Sequence, residues 1–99
     1  MTVVLHHEAE IEFWESVAYY QNKNPGLGIR FKEEVDRYLI QISAQPLLPA
    51  LRKAGYRRVN FAVFRHYIAY VIRDDVLWVL AICHSSQKPE FWLNRASGS

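Results

Sequence analysis

Apolar residues recur along the chain at two periods, which divide it into a helical half and a sheet half. From position 7 to about 22 they return every three or four residues, at Ala9, Phe13, Val17 and Tyr20. A second run of this period follows Asn24-Pro25, a pair suited to the N-cap and first position of a helix, and ends before Pro46. Its apolar residues are Leu27, Phe31, Val35, Tyr38 and Ile42. The pattern predicts two helices that pack as an antiparallel hairpin.

Residues typical of strands flank this hairpin. They predict a strand at about 2–6 and three more at about 56–61, 64–73 and 76–84. The last is apolar on both faces from Val76 to Cys83, which favours a central position in the sheet. The expected fold class is α+β: an N-terminal strand, a two-helix hairpin on an antiparallel sheet of three or four strands, and a short C-terminal helical turn.

The register of the last two strands determines which side chains share a face. We interpret Asp74-Asp75 as a two-residue hairpin turn, so that Arg73 faces Val76. Counting outward from this turn pairs Tyr67 with Ile82 and Arg65 with His84.

That register places Arg65, Tyr67 and His84 on one face, with Arg57 or Arg58 nearby on the preceding strand. Arginine binds phosphate or carboxylate through its fork of donors, and a histidine of near-neutral pKa can move protons during phosphodiester cleavage. The alternative is structural: His84 ends a strand and Arg65 is a solvated edge side chain.

The sequence favours neither a cysteine nucleophile nor a histidine metal site. Cys83 and His84 are neighbours on a strand and point to opposite faces, so they cannot form a nucleophile–base pair. His66 and His84 fall on opposite faces in the register above, and His6-His7 has no partner motif. We therefore predict neither a metal site nor a cofactor.

Composition and charge narrow the class of protein. The 99 residues, 51% hydrophobic and 22% charged, predict a single globular domain over 1–99. We see no signal peptide and no apolar run of the roughly 18 residues that a membrane span needs, and the chain has one cysteine; we expect a cytoplasmic protein with no membrane partner.

The charge is unevenly distributed. Residues 1–50 hold four basic and seven acidic side chains, a net −3, whereas residues 51–99 hold eight basic and three acidic ones, a net +5. This asymmetry suggests a surface that meets phosphate or an acidic protein, although basic side chains that are merely solvated are a common alternative.

Short motifs also occur in a fixed order over nearly the whole chain. They are Ala9, Tyr20, Phe31, Ile42 and Pro46, then Arg58-Val59, Phe64, Tyr67-Ile68-Ala69-Tyr70, Ala81-Ile82-Cys83-His84, Pro89, Trp92 and Arg95. In this order the chain resembles the RelE/ParE superfamily of toxins from type II toxin–antitoxin systems, and most closely the ParE-like, plasmid-stabilisation branch. It departs from that branch at Gln87, where arginine is usual, and at Arg65-His66, where Pro-Tyr is common.

The resemblance implies a toxin that inhibits growth by binding DNA gyrase, without enzymatic activity, and that a cognate antitoxin neutralises. One alternative is a RelE-like, ribosome-dependent endoribonuclease that cuts messenger RNA without a metal; Arg58 and Arg65 would then hold the scissile phosphate while His84 moves protons. The terminal tyrosine of those nucleases is missing, since no tyrosine follows Tyr70. A third alternative is an orphan basic RNA-binding domain.

The resemblance and the charge pattern together predict two binding surfaces. The residues expected to contact the target are Arg57, Arg58, Arg65, His84, Lys88, Trp92 and Arg95. An antitoxin is expected to lay an amphipathic helix along Phe13, Trp14 and Tyr38, and either to stop there or to add a strand at a sheet edge, with acidic residues near Arg57 and Arg58. A homodimer and a toxin–antitoxin hetero-oligomer are both compatible with this expectation.

Overall fold

The helices and strands of the computed structural model follow the hydrophobic pattern closely, and the structure describes residues 1–97. The elements are β1 (Thr2–Leu5), α1 (His7–Lys23), α2 (Leu27–Ala44), β2 (Arg57–Asn60), β3 (His66–Arg73) and β4 (Val76–His84), followed by a 3₁₀ helix at Leu93–Ser97. The predicted α+β class is confirmed. Within the described residues no helix is both long and apolar enough to cross a membrane.

The connection between the helices differs in detail from the prediction. Asn24 ends α1, with its backbone N–H donating to the carbonyl of Tyr20 at 3.1 Å, and Gly26, at φ 92°, is the N-cap of α2. The prediction that Asn24-Pro25 starts the second helix is therefore wrong. The side-chain oxygen of Gln21 accepts from the backbone N–H groups of Gly26 and Gly28, both at 3.1 Å, and so satisfies donors that a capping side chain would otherwise bind.

The strand order in the sheet is β1-β4-β3-β2. The central position predicted for β4 is confirmed. β2, β3 and β4 pair antiparallel, whereas β1 pairs with β4 in parallel, so the complete sheet is mixed.

The sheet separates two apolar cores. On the face that we call the helix face, α1 and α2 pack on side chains of all four strands; the strand residues buried there include Ile68, Tyr70, Leu77, Val79 and Ile82. On the opposite face, the far face, residues 85–97 form a C-terminal segment that covers the second core. That core comprises Tyr56, Tyr67, Ala69, Leu80, Ala81, Cys83 and Trp92.

A β-bulge shifts the register between β3 and β4. The turn is as predicted: Asp74 and Asp75 have φ of 50° and 64°, as a two-residue hairpin turn requires, and Arg73 faces Val76. Tyr70 then pairs with Val79, but Ala69 pairs with Ala81, which leaves Leu80 as the extra residue.

Beyond the bulge every pair is displaced by one residue. Tyr67 faces Cys83 rather than Ile82, and His84 faces His66 rather than Arg65. Leu80 and Ala81 both join the far-face core, so that the alternation of β4 changes phase at this point. The predicted pairs of Tyr67 with Ile82 and of Arg65 with His84 are therefore wrong.

Candidate functional site

Two directly opposed histidines lie at the end of the β3–β4 ladder. The ring centroids of His66 and His84 are 5.2 Å apart, with the planes nearly perpendicular. His66 is 5% exposed, contacts the ring of Phe31 and lies with Nδ1 3.5 Å from the hydroxyl of Tyr20. Burial, and secondarily the charge of His84, lowers the pKa of His66 to about 4. His66 is therefore neutral near pH 7.

His84 is more accessible than His66. Its Nδ1 accepts a hydrogen bond from the backbone N–H of Ser86 at 3.0 Å and lies 2.7 Å from that residue's hydroxyl. Because Nδ1 accepts, the proton of neutral His84 resides on Nε2. The two histidines border an open groove of about 680 Å³ between α1 and the end of β4, whose α1 side includes Glu15, Tyr19 and Lys23.

The residues named for the nuclease alternative do not share one face of the sheet. The guanidinium of Arg58 lies over the ring of Tyr67, 3.6 Å from its centroid, on the far face, whereas His84 pairs with His66 at the end of the helix face. Arg65 precedes β3 and is exposed. The expectation that Arg58, Arg65 and Tyr67 share a face with His84 is corrected, because the bulge exchanges the faces of the last residues of β4.

The same shift corrects the argument about metal ligands, since His66 and His84 share a face instead of lying on opposite ones. Within residues 1–97 the structure contains no group of three or more histidine, cysteine, aspartate or glutamate side chains placed to hold a metal ion.

Trp92 belongs to the far-face core. It is 0% exposed, its indole Nε1 donates to the hydroxyl of Tyr67 at 2.8 Å, and its ring meets that of Tyr56 edge-on at 4.7 Å. Tyr56 in turn donates to a carboxylate oxygen of Glu90 at 2.8 Å. This placement corrects the expectation that Trp92 presents its ring to a target.

Arg95 holds the C-terminal segment to α1. Its guanidinium donates to both carboxylate oxygens of Glu12, at 2.9 and 2.7 Å, and to the carbonyl of Leu80 at 3.0 Å. These bonds to Glu12 raise the pKa of Arg95. Because α1 and the C-terminal segment lie on opposite faces of the sheet, the ion pair joins the two layers.

Cys83 lies on the opposite face from His84, as predicted. It is buried against Tyr67 and Trp92, and burial raises the pKa of its thiol to about 11. A thiol of this kind is unreactive.

Arg57 fastens a proline loop to the sheet. Its Nη1 donates to the carbonyls of Leu47 and Pro49, at 3.3 and 2.6 Å, and the hydroxyl of Tyr70 donates to the carbonyl of Pro46 at 2.6 Å. Lys88, the remaining residue expected to contact the target, is exposed in the C-terminal segment.

The residues expected to bind an antitoxin differ in exposure. Phe13 is buried, and Tyr38 stacks flat on Phe61 at 4.9 Å while its hydroxyl accepts from the backbone N–H of Ala62. Trp14 is 52% exposed and borders a groove of about 330 Å³ between α1 and α2, whose α2 side includes Leu39. Of the three predicted residues, Trp14 offers the largest free apolar surface.

Glu34 is a positioning residue that the sequence analysis missed. Its carboxylate is 2% exposed and accepts from the backbone N–H groups of Val63 and Phe64, at 3.3 and 3.1 Å, which fixes the loop leading to His66. A signal was present, because position 34 follows Phe31 by three residues and therefore lies on the apolar side of α2.

These features define a small α+β protein with two open grooves beside α1, one bordered by His66 and His84 and the other by Trp14. No protein-family model matches the chain. It is 28% identical over 86 residues to the toxin ParE2 of Mycobacterium tuberculosis, in each of the strains CDC 1551 / Oshkosh and ATCC 25618 / H37Rv; the match covers 86% of this chain and 82% of the toxin. This distant similarity supports a ParE-like toxin.

Proposed function

We propose that this protein is a toxin that stops growth by binding DNA gyrase and that is held inactive by its antitoxin. The similarity to the toxin ParE2 over most of both chains carries this proposal. The gyrase target follows from the ParE-like order of motifs at the end of the chain, in which His84, Pro89, Trp92 and Arg95 succeed one another.

The separation of Arg58 from His84 disfavours the arrangement of side chains expected for the nuclease alternative. Cleavage of a phosphodiester by the mechanism considered above needs a proton carrier and a cation within reach of the same phosphate. Here Arg58 stacks on Tyr67 at the far face while His84 pairs with His66 at the end of the helix face. One substrate phosphate is poorly placed to contact both side chains.

The groove beside Trp14 is the proposed site for the antitoxin. Phe13 and Val35 supply buried apolar surface beside it, and the ion pair of Lys32 with Asp36, at 2.9 Å, provides polar groups on its α2 side. An amphipathic helix that lays its apolar side against Trp14 would bury this ring. Exposed tryptophans that become buried are frequent anchors of such interfaces.

The proposal is tested with the purified chain in gyrase supercoiling and in a translating extract. We expect supercoiling to be inhibited, and translation to continue without cleavage of messenger RNA. Addition of the antitoxin should restore supercoiling. Cut messenger RNA together with unimpaired gyrase would overturn the proposal in favour of the nuclease.

The antitoxin surface is tested by Trp14→Ala with Tyr19→Ala as the matched control. Both rings lie on α1 and are about equally exposed, at 52% and 54%. We expect Trp14→Ala to weaken antitoxin binding in calorimetry by roughly 30-fold or more, as loss of an anchor of about 2 kcal/mol would. Tyr19→Ala should bind as the parent does. Antitoxin binding that is unchanged by Trp14→Ala would remove Trp14 from the interface.

A further inference from the structure

The loop between α2 and β2 presents three leucines to solvent. Leu47, Leu48 and Leu51 are 67%, 67% and 62% exposed, within five consecutive positions. We call residues 45–51 the leucine loop. Exposed leucines are common singly, but a cluster of three on one short loop is an apolar patch of the kind that marks an interaction surface.

The leucine loop is held rigidly although its side chains are free. Its carbonyls at Pro46, Leu47 and Pro49 accept from buried Tyr70 and from Arg57, at 2.6 to 3.3 Å. Pro46 and Pro49 further restrict its backbone. A surface held in one conformation loses little entropy when it binds, and such preorganisation favours affinity.

The stretch of sequence that contains the leucine loop is basic. From Arg37 to Arg73, both included, the chain has seven arginine and lysine residues and no aspartate or glutamate. Arg52 and Lys53, which follow the loop directly, are both exposed. An apolar patch bordered by cations is complementary to an acidic protein surface that carries apolar side chains.

We infer that the leucine loop, with Arg52 and Lys53, is the surface by which this protein docks on an acidic region of its protein target. The inference rests on the proposed function and adds to it the place of contact and the chemistry of the partner. It also separates the two partners, because the groove proposed for the antitoxin lies between α1 and α2 and includes no residue of the leucine loop.

The chemistry of the patch favours a protein over a nucleic acid. Bases are bound by stacking on exposed aromatic rings and by polar side chains, whereas the large exposed side chains of the leucine loop itself are the aliphatic Leu47, Leu48 and Leu51. The tyrosines closest to the basic residues are unavailable: Tyr56 and Tyr67 are buried, with Arg52 and Arg58 over their rings.

The test compares two triple variants of the full chain. Leu47→Ser, Leu48→Ser and Leu51→Ser together remove the patch, and the control combines Ile29→Ser, Ile40→Ser and Val63→Ser, three aliphatic residues of similar exposure elsewhere. Both should stay folded and keep antitoxin affinity within about two-fold, since exposed side chains contribute little to stability. We expect the leucine variant to lose at least roughly ten-fold in gyrase inhibition and to lose growth inhibition in cells, whereas the control retains both.

A second variant tests the charge. Arg52→Glu with Lys53→Glu should weaken gyrase inhibition by about ten-fold or more at low salt, and less as the salt concentration rises. A leucine variant as active as the parent would overturn the inference while leaving the proposed function intact. If the parent protein stops growth without affecting gyrase, only the gyrase target is overturned. The comparison of growth inhibition between the parent protein and the leucine variant then tests the role of the leucine loop. Binding of the parent, but not of the leucine variant, to phosphatidylglycerol vesicles would show a membrane as the partner instead.

Discussion

His66 shows how one buried residue combines a structural position with a sensitivity to pH. The ring lies among Phe31, Phe61 and Tyr20 and directly opposite His84, so a positive charge on it would be poorly solvated. The spacing of residues in the sequence does not indicate that His66 faces His84, because this pairing is set by the bulge at Leu80, four residues before His84. The consequence is that folding favours the neutral ring.

The stability of the protein should therefore fall in mild acid. The unfolded chain binds a proton at this histidine below about pH 6.5, whereas the folded chain binds it only near pH 4, so stability is complete above pH 6.5 and is lost between these values. The loss should reach roughly 2–3 kcal/mol at pH 4. Urea titrations at several pH values measure it, with His66→Gln expected to flatten the curve.

His7→Gln is the matched control, since His7 is exposed at the start of α1. It should leave the pH dependence unchanged. Parallel curves for the parent and for His66→Gln would show that other groups cause the acid sensitivity.

At the scale of elements, the sequence predicts the β3–β4 hairpin well near its turn and poorly beyond it. The period of two and the Asp74-Asp75 turn fix the first four pairs. The bulge then inserts Leu80, and nothing in the apolar run from Val76 to Cys83 distinguishes an inserted residue from a paired one, because either face of a central strand is buried. The candidate site depended on pairs beyond that point, and so its composition could not be predicted.

The structural role of the C-terminal segment is the hardest one to predict from the sequence. Its Trp92 and Arg95 resemble binding residues by type, yet they close the far-face core and join it to Glu12. Partners 83 positions apart in sequence leave no local pattern. The segment therefore acts as the cover of Cys83.

Because the C-terminal segment covers Cys83, the reactivity of this thiol reports how often the segment separates from the sheet. Because the thiol has a pKa of about 11, its reaction with a disulfide reagent at pH 8 should be slower than that of an ordinary cysteine by roughly 100-fold, before any effect of access. Arg95→Ala should raise the rate by about ten-fold or more, since it removes three hydrogen bonds that hold the segment. Arg30→Ala, an exposed arginine on α2, is the control. A rate unchanged by Arg95→Ala would mean that the segment is held by Trp92 instead.

At the scale of the whole molecule, the periods of the hydrophobic residues were sufficient to predict the helix hairpin, the α+β class and the central strand. They were insufficient to predict the second core, because the same strands supply side chains to both faces of the sheet. In β3, Ile68 and Tyr70 face the helices while Tyr67 and Ala69 face the C-terminal segment. The helices and the C-terminal segment therefore pack on the same strands from opposite sides. If either one separated from the sheet, apolar side chains of strands that support the other would be exposed.

We therefore expect the two layers to unfold together. Trp14→Phe with Trp78→Phe leaves buried Trp92 as the one tryptophan of the chain, whose fluorescence reports on the far face. Its urea midpoint should coincide with that of the helical circular dichroism signal, which reports on α1 and α2. A lower midpoint for the fluorescence would show that the far face opens as a separate unit.

The parallel pairing of β1 with β4 also sets an order of events during synthesis. Thr2 is made first, and its partner Val76 follows 74 positions later. At about 5–20 residues per second, roughly 4–15 s pass before β1 has a neighbour in the sheet. A chain released before β4 is made lacks the strand that joins β1 to β3 and on which α1 packs. Shortened translation products therefore cannot display the folded surfaces of the complete protein.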